Sequence, residues 1–246
     1  MSRILVTGSS DGIGAKIAEI LDAQGHEVVR HARDPAKAAR LPGEVAVGDL
    51  ASLASTRAMA ARLETPFDVV VHNAGWLPPE GPRPLTEDGL ERTFQVNALS
   101  AYLLTALLPL PSRLVYVSSD SITRGRIDVD DLQHEAAWTA DSAYADSKLA
   151  MTAIAFAVAR RYPAARVNAV HPGWVRTKMS GDIAPLDVAE GADTPVWLST
   201  SDTPATGQFY HSREVVRLNE QAYDPEVQDA LVERCAALTG VALSPA

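Results

Sequence analysis

The chain has 246 residues, with 22 Lys and Arg against 31 Asp and Glu, a formal net charge of −9. Hydrophobic residues make up 46% and charged residues 22%, a balance that suits one α/β domain with a sizeable core and excludes a disordered chain. The acidic excess argues against a nucleic-acid-binding face or a polybasic membrane anchor, and no apolar run approaches the ~20 residues of a membrane span.

In chain order, short β-branched runs alternate with longer Ala/Leu-rich segments. Strands are expected at 3–7, 27–31, 44–47, 68–72, 113–117 and 166–170, and helices at 13–24, 53–63, 87–107, 142–162 and 186–198. Most strand runs are continuously apolar, as strands buried on both faces are. The expected fold is therefore α/β: a single-domain, Rossmann-type, doubly wound parallel sheet flanked by helices. Asp34 reads as the cap of a short helix from Pro35. Asp224-Pro225 reads as the start of a last helix that Gly240 ends. Residues 77–85, rich in Pro and Gly, read as a surface loop. Cys235 is the only cysteine, which rules out an intramolecular disulfide and fits a reducing compartment. The N-terminal apolar run is too short for a signal peptide, so a cytoplasmic protein is expected.

The first strand runs into Thr7-Gly8-Ser9-Ser10-Asp11-Gly12-Ile13-Gly14 and then a helix. Glycines there allow a tight turn and close approach to a pyrophosphate, and a helix N-terminus offers free N–H groups to the anion. Gly8, Ser10, Asp11, Gly12, Ile13 and Gly14 are the candidate contacts. The Thr-Gly-x-x-x-Gly-x-Gly spacing resembles that of the short-chain dehydrogenase/reductase family. The resemblance continues in order: Asn73-Ala74-Gly75 after the fourth strand, Asn97 in the next helix, Ser118-Ser119 at the end of the fifth strand, Tyr144-x-x-x-Lys148, and Pro172-Gly173 after the sixth.

The resemblance implies an NADP(H)-dependent oxidoreductase acting on a ketone or aldehyde, or in reverse on an alcohol. In the family's register Ala32 stands where NAD enzymes carry Asp, and Arg33 where NADP enzymes often carry Arg. A cation there pairs with a 2′-phosphate, so NADP(H) is expected over NAD(H), although Asp34 tempers the charge. Asp49-Leu50 resembles the pair that contacts adenine, and Asp49 also reads as a helix cap. Asn73, Ala74, Gly75, Pro172 and Gly173 are further cofactor candidates. So are Val175, through its backbone, and Thr177, which resembles a residue contacting the carboxamide.

Tyr144 and Lys148 are one helical turn apart and share a face. A free phenol has a pKa of about 10, too high for acid–base work near neutrality, and a neighbouring ammonium favours its anion. The resemblance gives Tyr144 proton transfer, and gives Lys148 the nicotinamide ribose and a share in lowering the phenol. It gives Ser119 the substrate oxygen, and Asn97 a water in a relay toward Lys148. Ser118 is expected to face away from the site.

Ser119 and Tyr144 are separated by more than many relatives allow. The extra stretch, about 122–141, and the helical tail, about 212–246, resemble the retinol-dehydrogenase-like branch. The stretch is expected to wall an open pocket, with Trp76, Trp138 or Trp174 beside it, under a short lid after Thr177. Relatives pair through the two long helices, so a homodimer is implied, while burial of those helices against the sheet is the other reading. The six histidines show no zinc spacing and no metal is expected. Two other readings stay open: a non-catalytic NADPH-binding regulator or scaffold, and an epimerase or dehydratase, which usually carries a larger C-terminal region.

Overall fold

A computed structural model describes residues 1–202 and 205–244. Residues 245 and 246, the end of the expected tail, lie outside the described residues. The strands are β1 (Arg3–Val6), β2 (Glu27–Ala32), β3 (Val45–Val47), β4 (Val69–His72), β5 (Arg113–Val117), β6 (Arg166–Val170), β7 (Phe209–His211) and β8 (Glu214–Val215). They form one sheet in the order β3-β2-β1-β4-β5-β6-β7-β8. All neighbours are parallel except the β7–β8 hairpin at the edge. The strand order reverses between β1 and β4, where the carboxyl ends part and leave a crevice.

The continuous apolar strands arise because both faces are covered. Ile4, Val6, Val69, Val71, Val115 and Val117 pack on one side with α1 (Gly12–Ala23) and α7 (Val188–Thr200). Leu5, Val70, Leu114 and Tyr116 pack on the other with α3 (Leu53–Arg62), α5 (Ser100–Leu107) and α6 (Ala140–Arg161). The short α2 (Pro35–Ala38) begins at Asp34, whose carboxylate accepts from Lys37 N at 2.8 Å, as its sequence implies.

The long helix expected from 87 starts later. Glu91 caps α4 (Arg92–Phe94), a π-helical stretch Gln95–Leu99 follows, and α5 continues it. The π turn carries one extra residue and holds Asn97, fully buried, at its centre.

The last helix, α8 (Pro225–Thr239), has the expected cap and ends at Gly240 in the left-handed region (φ 65°). Leu231, Val232 and Cys235 join the core beside α6. Tyr102 Oη donates to Val241 O at 2.9 Å, and Arg57 donates to Thr239 O. The outer faces of α5 and α6 therefore lie partly under α8. Among the described residues no helix is long and apolar enough to cross a membrane.

Candidate active site

The loop between β1 and α1 is locked to the end of β4. Thr7 Oγ1 accepts from Asn73 N at 2.9 Å and Ala74 N at 3.0 Å, and Asn73 Nδ2 donates to Thr7 O at 3.0 Å and to Gly8 O. A Cβ on Gly14 would lie 2.3 Å from Asn73 Nδ2, and one on Gly8, itself at φ 64°, would lie 2.7 Å from Ala74 Cα. These two glycines are required by packing within the protein, whereas Gly12 faces the cleft. Gly8 N donates to His31 Nδ1 at 2.9 Å, and His31 Nε2 donates to Gly48 O at 2.8 Å. That network fixes a neutral imidazole, and burial holds its pKa below the usual histidine value. Asp11 supplies no side-chain cap to α1, so the first N–H groups remain available; its carboxylate pairs with Lys178 Nζ at 2.9 Å.

The cleft above this loop has a volume of about 350 Å³. Of the expected cofactor residues, Gly8, Ser10, Asp11, Gly12, Ile13, Gly14, Arg33, Asp49, Leu50, Asn73, Ala74, Gly75, Tyr144, Lys148, Pro172 and Thr177 line it. Gly173 and Val175 do not line it: the Val175 side chain is buried against Gly191, and Gly173 turns the chain (φ 85°) beneath Leu186. Asp49 does not cap α3. Its carboxylate accepts from Ala51 N at 2.9 Å, and Ser52 is the cap, since three residues separate Asp49 from the helix. The residues suit a dinucleotide: uncapped helical N–H groups and Gly12 at the loop, and a continuous wall from β2 to β6.

At the other end, α6 carries Tyr144 and Lys148 into the cleft. Lys148 is 4% exposed, and its Nζ donates to Val117 O at 2.9 Å. Burial lowers its pKa to about 8. Gly75 is small because of this ammonium: a Cβ there would lie 3.1 Å from Nζ and 3.6 Å from Asn97 Oδ1. Tyr144 behaves differently from the sequence expectation. Burial pushes the phenol pKa up; Ser119 and Arg124 oppose that shift and Asp120 adds to it. The Lys148 ammonium lies 6.0 Å from the Tyr144 ring centroid and is turned toward Val117 O, so it does not pull the phenol down in this state.

Asn97 is a clamp. Its Oδ1 accepts from Trp76 N at 2.7 Å, and its Nδ2 donates to Trp76 O at 3.0 Å and Ser147 Oγ at 2.9 Å. Both amide hydrogens are used, and Oδ1 has one acceptor position left for the expected water. Ser119 follows β5 and accepts from Ser121 N at 3.2 Å. Ser118 points away, bonding Thr152 Oγ1 at 2.8 Å, as the strand alternation implies.

Comparison with known proteins agrees with this geometry. A family model described as enoyl-(acyl carrier protein) reductase matches residues 8–195. The short-chain dehydrogenase chry4 of Gibberella zeae is 35% identical, over 99% of both chains. This chain belongs to the short-chain dehydrogenase/reductase family. Human retinol dehydrogenase 14 is 32% identical over 97% of this chain and 86% of its own, in keeping with the retinol-dehydrogenase-like branch. A crystal structure of an uncharacterised Mycobacterium paratuberculosis protein superposes with a TM-score of 0.86 at 30% identity, covering 99% of this chain and 95% of that one.

Within this short-chain dehydrogenase/reductase the stretch before α6 departs from the expectation. Residues 126–137 do not wall the cleft. They fold over the outward side of α6 and enclose a separate cavity of about 410 Å³, lined by Phe94, Leu132, His134, Asp146 and Ser147 among others. The cause is local: Asp146 accepts from Arg126 N at 2.7 Å, and His134 Nε2 stands 3.4 Å from its carboxylate. Trp138 and Trp174 do not line the cleft, and Trp76 does. The segment between β6 and α7 is helix-free, in keeping with a short lid, yet its tip reaches the site: Tyr144 Oη lies 3.9 Å from Met179 Sδ. His31, Lys37, Arg92, Lys178 and Met179 also line the cleft, and no motif in the sequence singled out their contribution. His171 and His211, far apart in the chain, stack with ring centroids 3.9 Å apart at the β6–β7 edge.

Proposed function

We propose that the protein exchanges a hydride between NADP(H) and a small carbonyl compound, a ketone or aldehyde, or the corresponding alcohol. The observation that carries this reading is Tyr144 and Lys148 on one face of α6, opening into a cleft whose other end is a glycine loop with uncapped helical N–H groups. The chemistry the nicotinamide cofactor supplies when bound is hydride donation or acceptance. The remaining work falls to side chains. Tyr144 keeps its proton because burial raises its pKa, so it can give that proton to the substrate oxygen during reduction. The Ser119 hydroxyl steadies the same oxygen. Lys148, with a pKa of about 8, holds the ribose hydroxyls and returns a proton to Tyr144, and Asn97 keeps Trp76 and Ser147 in place around it.

NADP(H) is favoured over NAD(H) by charge. Arg33 and Lys37 both border the cleft at the end of β2, Ala32 offers no acid, and Asp34 is turned to cap α2. Arg33 also pairs with Asp34 at 3.3 Å, so it meets a 2′-phosphate partly neutralised.

The test is NADPH oxidation against a panel of carbonyl compounds, with NADPH binding measured alongside. Tyr144→Phe is expected to lower turnover by about 10³-fold while keeping NADPH affinity. Tight NADPH binding by the unaltered protein without turnover of any compound would favour the regulator reading instead.

A further inference from the structure

Arg92 opens α4 and lines the cleft beside Trp76 and Val96. Its guanidinium lies 4.9 Å from the Trp76 ring centroid, a cation–π stack. Trp76 is held in turn by the two-point Asn97 clamp on its backbone. Yet the guanidinium has no acceptor. Among the described residues no carboxylate pairs with it, its side chain makes no hydrogen bond, and Nε is buried without a partner. Of the other long cations of the cleft wall, Lys178 is paired with Asp11 and Arg33 with Asp34, while Lys37 stands at the β2 end of the cleft. In a chain of net charge −9, an unpaired arginine at a cleft wall stands out. A buried donor without an acceptor is unfavourable, and that free energy is recovered when an acceptor binds. A guanidinium held flat on an indole presents its remaining N–H groups as a preformed fork, the shape that takes a carboxylate or phosphate in two hydrogen bonds.

We infer that Arg92, laid on Trp76, is the receptor for an oxyanion on the substrate, so that the carbonyl compounds this protein prefers carry a carboxylate or phosphate. Position argues for the substrate over the cofactor as the source. Trp76 directly follows Gly75, which packs against Lys148 Nζ, so the pair belongs to the reacting end. The phosphates of a dinucleotide have other partners in the proposed reading: the α1 N-terminus for the pyrophosphate, and Arg33 with Lys37 for the 2′-phosphate. The specificity that follows is for polar, acid-bearing substrates, unlike the lipophilic ones the branch often takes.

The assignment rests on hydride exchange in this cleft, and one titration separates the two. 4-Formylbenzoate and its methyl ester, alike except for the charge, are titrated into the NADP⁺ complex, where no reduction can occur. The unaltered protein is expected to bind the acid about tenfold tighter than the ester. Arg92→Leu is expected to bring the two within about twofold, and Arg92→Lys to keep part of the preference, since lysine supplies charge without the fork. Equal binding of acid and ester by the unaltered protein overturns the assignment. So does a loss of about tenfold in NADP⁺ affinity in Arg92→Leu, because the oxyanion is then the cofactor's. If neither NADP⁺ nor NAD⁺ binds, the hydride reading fails, and the same pair titrated into the free chain still decides Arg92. If the acid binds through Arg92 but neither aldehyde nor any other carbonyl compound oxidises NADPH, the hydride reading again fails alone.

Discussion

The two ends of the cleft are built on different terms. At the phosphate-loop end the backbone groups of Thr7, Gly8, Asn73 and Ala74 are joined by short hydrogen bonds to side chains of neighbouring strands, and added atoms on Gly8 or Gly14 have no room. At the other end a buried ammonium and a half-buried phenol face a lid whose residues Lys178 and Met179 are exposed. The first end is rigid and recognises a shape common to many enzymes. The second holds its charged groups away from water at a cost in stability, and leaves the substrate wall open. Tight packing is concentrated at the loop, and buried titratable groups at the other end.

Four substitutions probe that contrast, from the largest effect to the smallest. Lys148→Met should abolish turnover and yet stabilise the free protein. The Lys148 pKa falls from 10.5 to about 8, so burying its charge costs roughly 3 kcal/mol at neutral pH, partly offset in the variant by the unpaired Val117 carbonyl. The unfolded chain binds the extra proton between pH 8 and 10.5, so the native protein gains stability as pH rises through that window, and the advantage of Lys148→Met shrinks over the same range. Chemical denaturation at pH 7 and pH 10 without cofactor checks this; a constant difference would break the comparison. Gly14→Ala should destabilise the protein by about 1–3 kcal/mol through overpacking against Asn73, and weaken NADPH binding with it. Thermal melting with and without NADPH would show both. Arg33→Ala should lower the preference for NADPH over NADH by about tenfold, or 1.4 kcal/mol, with little change in melting temperature. Met179→Ala should leave stability unchanged and alter KM for carbonyl compounds by only about twofold to fivefold, within the ±0.5 kcal/mol to about 1 kcal/mol typical of an exposed contact; a large loss of stability would mean the reacting end is as rigid as the loop.

The same contrast explains what could be read from the sequence. The sheet was legible because β1, β4, β5 and β6 are apolar on both faces, and the Tyr144–Lys148 pair because helical spacing alone places it. β7 and β8 were not, since a run as short as Phe209–His211 and an exposed pair, Glu214–Val215, carry no periodicity of their own. The site residues were legible where they sit in motifs joined to sheet edges. Trp76 was legible as a neighbour of the pocket, but Arg92 was not, because only the turn of the chain between them lays one on the other. The direction of the Tyr144 shift was also out of reach: spacing puts the ammonium near the phenol, but tertiary packing turns it toward Val117 O, and burial sets the direction. The stretch at 126–137 misled for a related reason. Its length was plain, but its ties to Asp146, on the side of α6 away from the cleft, were not.

The tail bears on the order of assembly. Residues of α6 and α8 share one core, and α8 follows every strand of the sheet in the chain. While the chain is being synthesised, every strand of the parallel sheet can emerge before the helix that covers α6 exists. The helix bearing Tyr144 and Lys148 therefore stays half-clothed on the ribosome until α8 has emerged. Chains stopped before Asp224 should be cut by protease within α6 where the whole chain resists.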